Sequence, residues 1–223
     1  MNRILVVGPH PDDETLGCGG TLLRHAAEGD EIHWLIMTTI TREAGFSGER
    51  IQSRGGEIEW VSEAYGFSTT HQAPFVTARL DTYPKSDLVA EVSQCIANVE
   101  PDTIYLPYRN DVHSDHAAVF DAVASCTKSF RYPYIRRVRA YETLSETEFS
   151  IRKDDSGFQP NLWVNISDFL DRKIEIMRFY EGEMGEFPFP RSELNIRALA
   201  TLRGATAGVE AAEGFMNLIE RVL

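Results

Sequence analysis

The stretch that decides the fold is residues 4–14, which reads ILVVGPHPDDE. Its first four residues form an apolar run that is β-branched at three of the four positions. Such runs are typical of a parallel strand that is buried on both faces. Gly8-Pro9 ends the predicted strand, and residues 10–14 then supply four ionisable side chains. A core strand therefore leads straight into a dense polar segment.

Strand and helix patterns alternate from this stretch outward over the first 145 residues. Residues 67–84 are expected to be irregular or short-stranded, and Gly66 is expected to cap the helix before them. Further strands are predicted over 32–39, 103–106, 138–143 and 162–166, and helices over 15–28, 49–65, 88–99, 114–128, 169–181, 191–203 and 210–223. This alternation predicts βαβ units and an α/β fold with a mostly parallel sheet. Because no long linker or repeat divides the 223 residues, one domain over 1–223 is expected.

Composition narrows the classes of function. The net charge of −12 argues against nonspecific binding to nucleic acid or anionic membranes, although a local basic pocket for a phosphate stays open. The three cysteines lack a CxxC pattern and predict neither a disulfide framework nor a thiolate metal site. No apolar run approaches a membrane span, and residues 4–8 are too short for a signal peptide, so cytoplasmic residence is expected.

Two polar segments each follow directly after a predicted buried strand. They are residues 10–14 and residues 111–116, which read DVHSDH. Ligands of open α/β sheets bind beyond the carboxyl ends of the strands, so both segments are expected at the same sheet edge. His113 and His116 are three positions apart at a helix start, which points both rings toward roughly one side.

Together these side chains match the needs of a catalytic zinc site, which typically has three protein ligands and one position for water. His10, Asp13 and His116 would supply two imidazoles and one carboxylate. Neighbouring residues of an extended loop point in different directions, so Asp12 is expected to face the water and take its proton.

His113 lies outside this ligand set. It is expected either to stabilise an oxyanion or to protonate a leaving amine, and Asp115 is expected to hydrogen-bond its ring. The parts for attack on an amide carbonyl are then complete.

Three motifs now carry a resemblance to a known family: PHPDDE at residues 9–14, HSDH at residues 113–116, and Arg54-x-x-Glu57 with Gly66 twelve residues after the arginine. With them the chain resembles the PIG-L/LmbE-like family of zinc-dependent de-N-acetylases over roughly its first 145 residues. The resemblance implies a Rossmann-like, three-layer α/β/α fold and a tendency to self-assemble. It implies His10, Asp13 and His116 as the zinc ligands and Asp12 as the general base. It also implies that His113, with Asp115 as its partner, stabilises the oxyanion or acts as the acid, and that Arg54 contacts the substrate.

The expected function is removal of the N-acetyl group from an N-acetylglucosamine-type sugar or its conjugate by a zinc hydrolase. The conjugate stays open among free, inositol, nucleotide, lipid-linked and polysaccharide-precursor forms. Iron or cobalt fits the same ligands. Two alternatives remain: a metal-dependent amidase or esterase on a non-sugar acyl substrate, and a non-catalytic nucleotide-binding module.

Three further segments invite functional interpretations. Residues 17–20, GCGG, lack the third glycine of a dinucleotide fingerprint, so they predict close packing of the first helix. The arginines within 131–139 either cradle a phosphate or mark the solvated edge of a strand. The loop at 182–190, with Phe187 and Phe189, is either a lid or a surface loop packed by its own aromatic rings.

Overall fold

The computed structural model describes residues 1–151 and 157–222. The strands of this part of the chain are β1 Arg3–Gly8, β2 Glu31–Thr39, β3 Thr69–Val76, β4 Thr103–Pro107, β5 Arg137–Tyr141, β6 Leu162–Asn165 and β7 Ala212–Glu220. Its α-helices are α1 Asp13–Ala27, α2 Gly48–Tyr65, α3 Lys85–Val99, α4 Ser114–Ser125, α5 Leu170–Met177 and α6 Glu193–Ala207, with a 3₁₀ turn at Leu80–Thr82.

The strands form one sheet in the order β3-β2-β1-β4-β5-β7-β6. The first five strands in this order are parallel, and β7 runs antiparallel to both β5 and β6. The predicted α/β fold with a mostly parallel sheet is therefore confirmed.

The sheet lies between two layers of helices. Leu5 and Val7 of β1 pack in a core with α3 and α4, whereas Ile4 and Val6 pack in a second core with α1, α2, α5 and α6. Successive side chains of a strand point to opposite faces, so this division shows a three-layer α/β/α arrangement. Each of these fully buried side chains contributes about 1.5–3 kcal/mol through burial.

The predicted helix over residues 210–223 is wrong. Gly208 adopts a left-handed conformation (φ +75°) that ends α6, and the following residues form β7 instead. The segment is short and mixes apolar with polar residues, so its pattern fits a helix or a strand, and pairing with β5 and β6 on its two sides decides for the strand. Leu223, the last residue of that prediction, lies outside the described residues.

Residues 67–84, which the pattern left irregular or short-stranded, contain the edge strand β3 and the 3₁₀ turn. Gly66, as predicted, caps α2 in a left-handed conformation (φ +71°). Of the described helices, none combines the length and the apolar character needed to cross a bilayer.

The glycines of residues 17–20 let α1 approach the sheet closely, as predicted. A methyl group at Gly17 would overlap the ring of Tyr141 on β5, and one at Gly20 would lie 2.7 Å from Ile166. The helix geometry is interrupted between them at Cys18 (φ −145°, ψ 20°).

Candidate metal centre

The two polar segments of the sequence meet beyond the carboxyl ends of β1 and β4. These strands are parallel neighbours, so the loop after Gly8 and the loop after Pro107 leave the same edge of the sheet. The ring centroid of His10 lies 4.6 Å from that of His113 and 5.8 Å from that of His116.

Three of the converging side chains offer a set of metal-ligand atoms. One ligand atom from each of His10, Asp13 and His116 lies within 4.8 Å of the others. The Asp13 carboxylate bridges the two rings: Oδ2 is 3.2 Å from His10 Nδ1, and Oδ1 is 3.4 Å from His116 Nε2. Asp13 and His116 are buried, and His10 is partly exposed to a cavity.

The ring of His116 has the environment of a metal ligand. Its Nδ1 forms a 2.7 Å hydrogen bond with Oδ2 of the buried Asp111, whereas its buried Nε2 has no hydrogen-bond partner among the described residues. A buried nitrogen without a partner is costly, and a carboxylate on the far nitrogen is the usual support for a histidine that binds a metal. Two imidazoles and one carboxylate fit a zinc-type cation.

The raised pKa values of His10 and His116 also support a metal site. Burial favours neutral imidazoles, but Asp13 and Asp111 together raise the pKa of His116 to about 10, and Asp115 and Asp13 raise that of His10 to about 9. The cluster of carboxylates thus stabilises positive charge at this point, which a bound cation also supplies.

A second group of possible ligands, His10, His113 and Asp115, shares one histidine with the first. The Asp115 carboxylate, however, already accepts hydrogen bonds from the backbone N–H groups of Ala78 (2.7 Å) and Leu80 (3.0 Å). It also lies 3.0 Å from His10 Nε2. These contacts give Asp115 a structural task, so the group with Asp13 and His116 is the better candidate.

The predicted hydrogen bond between the His113 ring and the Asp115 side chain is wrong, because the Asp115 carboxylate has other partners. His113 is the N-cap of α4, and its Nδ1 accepts a 3.1 Å hydrogen bond from the backbone N–H of Asp115. The unsatisfied N–H groups of a first helical turn attract such a side chain. The Asp115 carboxylate therefore points to His10.

This contact fixes the tautomer of His113. Burial, followed by the nearby His10, lowers the pKa of His113 and so favours the neutral ring. Because Nδ1 accepts a hydrogen bond, the single ring proton lies on Nε2. His113 also lines the cavity.

Asp12 adopts a strained backbone conformation, with φ at 138°, of a kind found at functional sites. Its carboxylate accepts a 2.7 Å hydrogen bond from Arg191 Nη1, and its backbone N–H donates to the buried Glu14. Burial and the adjacent Asp13 raise the pKa of Asp12, and Arg191 opposes that shift. Asp12 and Asp13 thus have separate partners, and both line the cavity.

Arg54 also lines the cavity, but each nitrogen of its guanidinium already has a protein partner. Nη1 donates to the backbone carbonyl of Pro11 (2.9 Å), Nη2 to Glu183 (2.7 Å), and Nε lies 3.2 Å from Glu57. These contacts support the loop at residues 10–13. A direct contact with substrate stays a prediction.

Sequence reasoning gave no role to Asp111, although it lies in the polar segment 111–116, and it missed three further charged residues of the site: Glu146, Glu183 and Arg191. Arg191 donates to Asp12 and, at 2.8 Å, to Glu183, while its Nη2 lies 4.0 Å from Glu146. The only signal for two of them was the unusual loop at 182–190, which Glu183 and Arg191 bracket. That loop supplies part of the cavity wall, while Phe187 and Phe189 are exposed.

The cavity beside the candidate ligands has a volume of about 230 Å³. Ile40 and Phe46 give it apolar surface, and Thr39 and Gln72 add polar groups. The arginines of residues 131–139 do not line it: β5 lies inside the sheet, and Arg137, at its opposite end, is bound to Asp102 and Glu220. That stretch is therefore not a phosphate cradle of this cavity, and Arg131 and Arg136, which precede β5, are exposed.

Fold and site together define an α/β protein with a two-histidine, one-carboxylate centre at the carboxyl edge of its sheet. Residues 5–127 match the PIG-L family, which is described as GlcNAc-PI de-N-acetylase. The chain belongs to this family.

Similar proteins agree with this placement. The diacetylchitobiose deacetylase of Thermococcus kodakarensis is 25% identical over 96% of this chain and 82% of its own length. The crystal structure of the conserved protein TT1542 from Thermus thermophilus has a TM-score of 0.77 and 25% identity, covering 100% of this chain and 97% of the other. GalB of Pseudomonas putida, a 4-carboxy-2-hydroxymuconate hydratase, has a TM-score of 0.74 at 17% identity, covering 100% of this chain and 98% of its own, and shares the fold.

Proposed function

We propose that this protein is a zinc-dependent hydrolase that removes the N-acetyl group from an N-acetylglucosamine-type sugar or its conjugate. The observation that carries the proposal is the buried Nε2 of His116, which makes no hydrogen bond within the described part of the chain and lies 3.4 Å from Asp13 Oδ1. One ligand atom from each of His116, Asp13 and His10 lies within 4.8 Å of the others, beside the cavity. His10, Asp13 and His116 would hold the metal. A zinc ion in such a site supplies a Lewis acid and lowers the pKa of water toward 7.

Asp12 acts as the general base in this proposal. Arg191 and Glu14 hold its side chain and backbone in place at the cavity wall. It takes a proton from the attacking water and returns it to the nitrogen as the C–N bond breaks, so acetate and a free amine leave. Among the carboxylates of the described cavity wall, Asp12 is the one that is adjacent in sequence to a proposed ligand but is not itself a proposed ligand.

His113 stabilises the oxygen of the carbonyl under attack. The sequence left open whether this residue is an oxyanion donor or an acid. The cap contact with Asp115 favours the first role, because it places the proton of a neutral ring on Nε2. Its task is thus to donate a hydrogen bond, and proton transfer falls to Asp12.

The proposed class of substrate rests on what similar proteins are named for. The 2'-N-acetylparomamine deacetylase of Streptomyces fradiae, like the chitobiose enzyme, is named for an N-acetylated sugar, and this chain is 26% identical to it over 85% of its length. The GalB hydratase shows that the fold also supports other chemistry. The bond that is cut must therefore be established by assay.

The test combines metal analysis with product detection. Elemental mass spectrometry of the purified protein should find about one equivalent of metal per chain. The protein should release acetate from N-acetylglucosamine conjugates but not from acylated peptides or esters. His116→Ala should lose the metal. Asp12→Asn should keep it and lose roughly 10²–10⁴-fold in rate.

His71→Ala is the matched control, because this histidine is half exposed and outside both groups of possible ligands. Full activity after removal of all metal by a chelator would refute the proposal. Turnover of esters or peptides without turnover of sugars would support the amidase or esterase alternative instead.

A further inference from the structure

The cavity contains two guanidinium groups, and one carboxylate binds both. Glu183 Oε1 lies 2.7 Å from Arg54 Nη2, and Glu183 Oε2 lies 2.8 Å from Arg191 Nη1. Glu57 also forms an ion pair with Nε of Arg54, and Asp12 forms one with Nη1 of Arg191, the nitrogen that Glu183 also binds. Each positive charge of the described cavity wall is thus already paired with carboxylates of the chain.

A ligand also meets surplus negative charge on this wall. Apart from Asp13, which belongs to the candidate ligand set, three carboxylates (Asp12, Glu146 and Glu183) line the cavity, with only the two arginines as permanent cations among the described residues. Glu146 lies 4.0 Å from Arg191 Nη2 and is the third carboxylate around that guanidinium. A phosphate or carboxylate needs donors that are free to turn toward it. Here it would have to displace Glu183 and face Glu146.

The volume of the cavity limits what lies inside it. At about 230 Å³ it is smaller than the roughly 300–1,000 Å³ of pockets for drug-sized ligands. It therefore has room for about one sugar residue with its acetamido group, and an aglycone would extend out of it. Glu183 is more exposed (25%) than Arg54 (11%) or Arg191 (19%), so the Arg54–Glu183–Arg191 group is the charged part of the wall that such an aglycone would meet.

We propose that the site accepts uncharged or cationic N-acetyl amino sugar conjugates and rejects those with an anionic group next to the sugar, with Glu183 as the specificity-determining residue. This inference rests on the proposed function for the identity of the sugar. It does not rest on hydrolysis, because the charge preference also governs binding.

The test uses three glycosides of N-acetylglucosamine that differ only at the end of a two-carbon aglycone: ethyl, 2-aminoethyl and 2-phosphoethyl. Both kcat/KM for acetate release and Kd by calorimetry are measured on the metal-loaded protein. The ethyl and aminoethyl compounds should be preferred over the phosphoethyl compound by roughly tenfold or more, the scale of like-charge repulsion at a contact. The preference should weaken as salt is added.

Glu183→Gln keeps the size of the side chain and frees both guanidinium groups from a charged partner. It should lower the preference against the phosphoethyl compound at least about threefold, with the ethyl compound less affected. Glu186→Gln removes the same charge from an exposed position of the same loop and should leave the preference unchanged.

The outcomes separate the two proposals. Binding preference without any acetate release would overturn the hydrolase and leave the charge selectivity standing. Acetate release with equal or better use of the phosphoethyl compound would overturn the selectivity and leave the hydrolase. No binding of any glycoside, or an unchanged preference in Glu183→Gln, would also overturn the selectivity.

Discussion

Asp111 offers the sharpest test of the metal centre, because it touches a candidate ligand but not the cavity. Its Oδ2 accepts from His116 Nδ1 at 2.7 Å, and its Oδ1 accepts from Thr147 Oγ1 at 2.6 Å. The side chain is fully buried. Asp111→Asn keeps the shape and removes the charge: its amide oxygen can still accept from His116 Nδ1, and its NH2 group can donate to Thr147 Oγ1. We expect it to weaken zinc binding without unfolding the protein.

The expected size follows from this geometry. Removing a carboxylate behind a metal-bound histidine typically costs 10–100-fold in metal affinity, or about 1.4–2.8 kcal/mol. The loss should lie toward the upper part of this range, because burial leaves the charge poorly screened by water. Asp111→Ala should cost more, since it also removes the acceptor of the His116 Nδ1–H and of the Thr147 hydroxyl proton.

The assay is a competition titration of zinc against a chromophoric chelator, with circular dichroism as the check on folding. Asp121→Asn, which removes a partly exposed carboxylate on α4, the helix that carries His116, is the matched control and should bind zinc like the unaltered protein. If Asp111→Asn and Asp111→Ala both bound zinc within twofold of the unaltered chain, the assignment of His116 as a ligand would be refuted.

Two further predictions concern stability. Gly17→Ala should lower the free energy of unfolding in urea by about 1–3 kcal/mol, because the new methyl group overlaps the Tyr141 ring. Gly55→Ala is the control: it lies in open space on α2 and should raise that free energy by about 0.5–1 kcal/mol. Equal effects of the two substitutions would contradict the packing argument. Asp30→Asn should cost about 1–2 kcal/mol at pH 7. Burial opposes ionisation, but hydrogen bonds from Asn2 and His25 still hold the pKa of Asp30 below its usual value. That stabilisation is therefore complete above about pH 4 and is lost as pH falls through the folded pKa, so persistence of the difference at pH 2 would refute it.

The sequence predicts the first half of the fold well because the signals there are local. The run of residues 4–7 is too apolar for anything but a buried strand, and Gly66 marks the end of α2 at the residue where the structure ends it. The sequence does not predict β7, because the secondary structure of this segment depends on the strands that pair with it. Its nine residues suit a helix or a strand, and only contact with β5 and β6 decides between them.

The same distinction applies to the site. His10, Asp13 and His116 could be brought together from the sequence because each follows a parallel strand, and strand ends share an edge. Arg191 could not, since it lies 179 residues from Asp12, its hydrogen-bond partner, and follows no strand. The predicted pairing of Asp115 with the His113 ring failed for a related reason. It assumed that side chains near in sequence bind each other, whereas the helix start gave His113 a backbone partner.

These contacts explain how a site crowded with carboxylates keeps each one in a separate task. Asp13 lies between two imidazoles, Asp111 and Asp115 support those rings from behind, and Asp12 is held by Arg191 at the cavity wall. The two helix-start residues His113 and Asp115 exchange only a backbone hydrogen bond, which leaves the Nε2–H of His113 for the ligand. Under the proposed function, the two side chains that meet the acetamide are therefore Asp12, which stays bound to Arg191, and His113, which offers its Nε2–H.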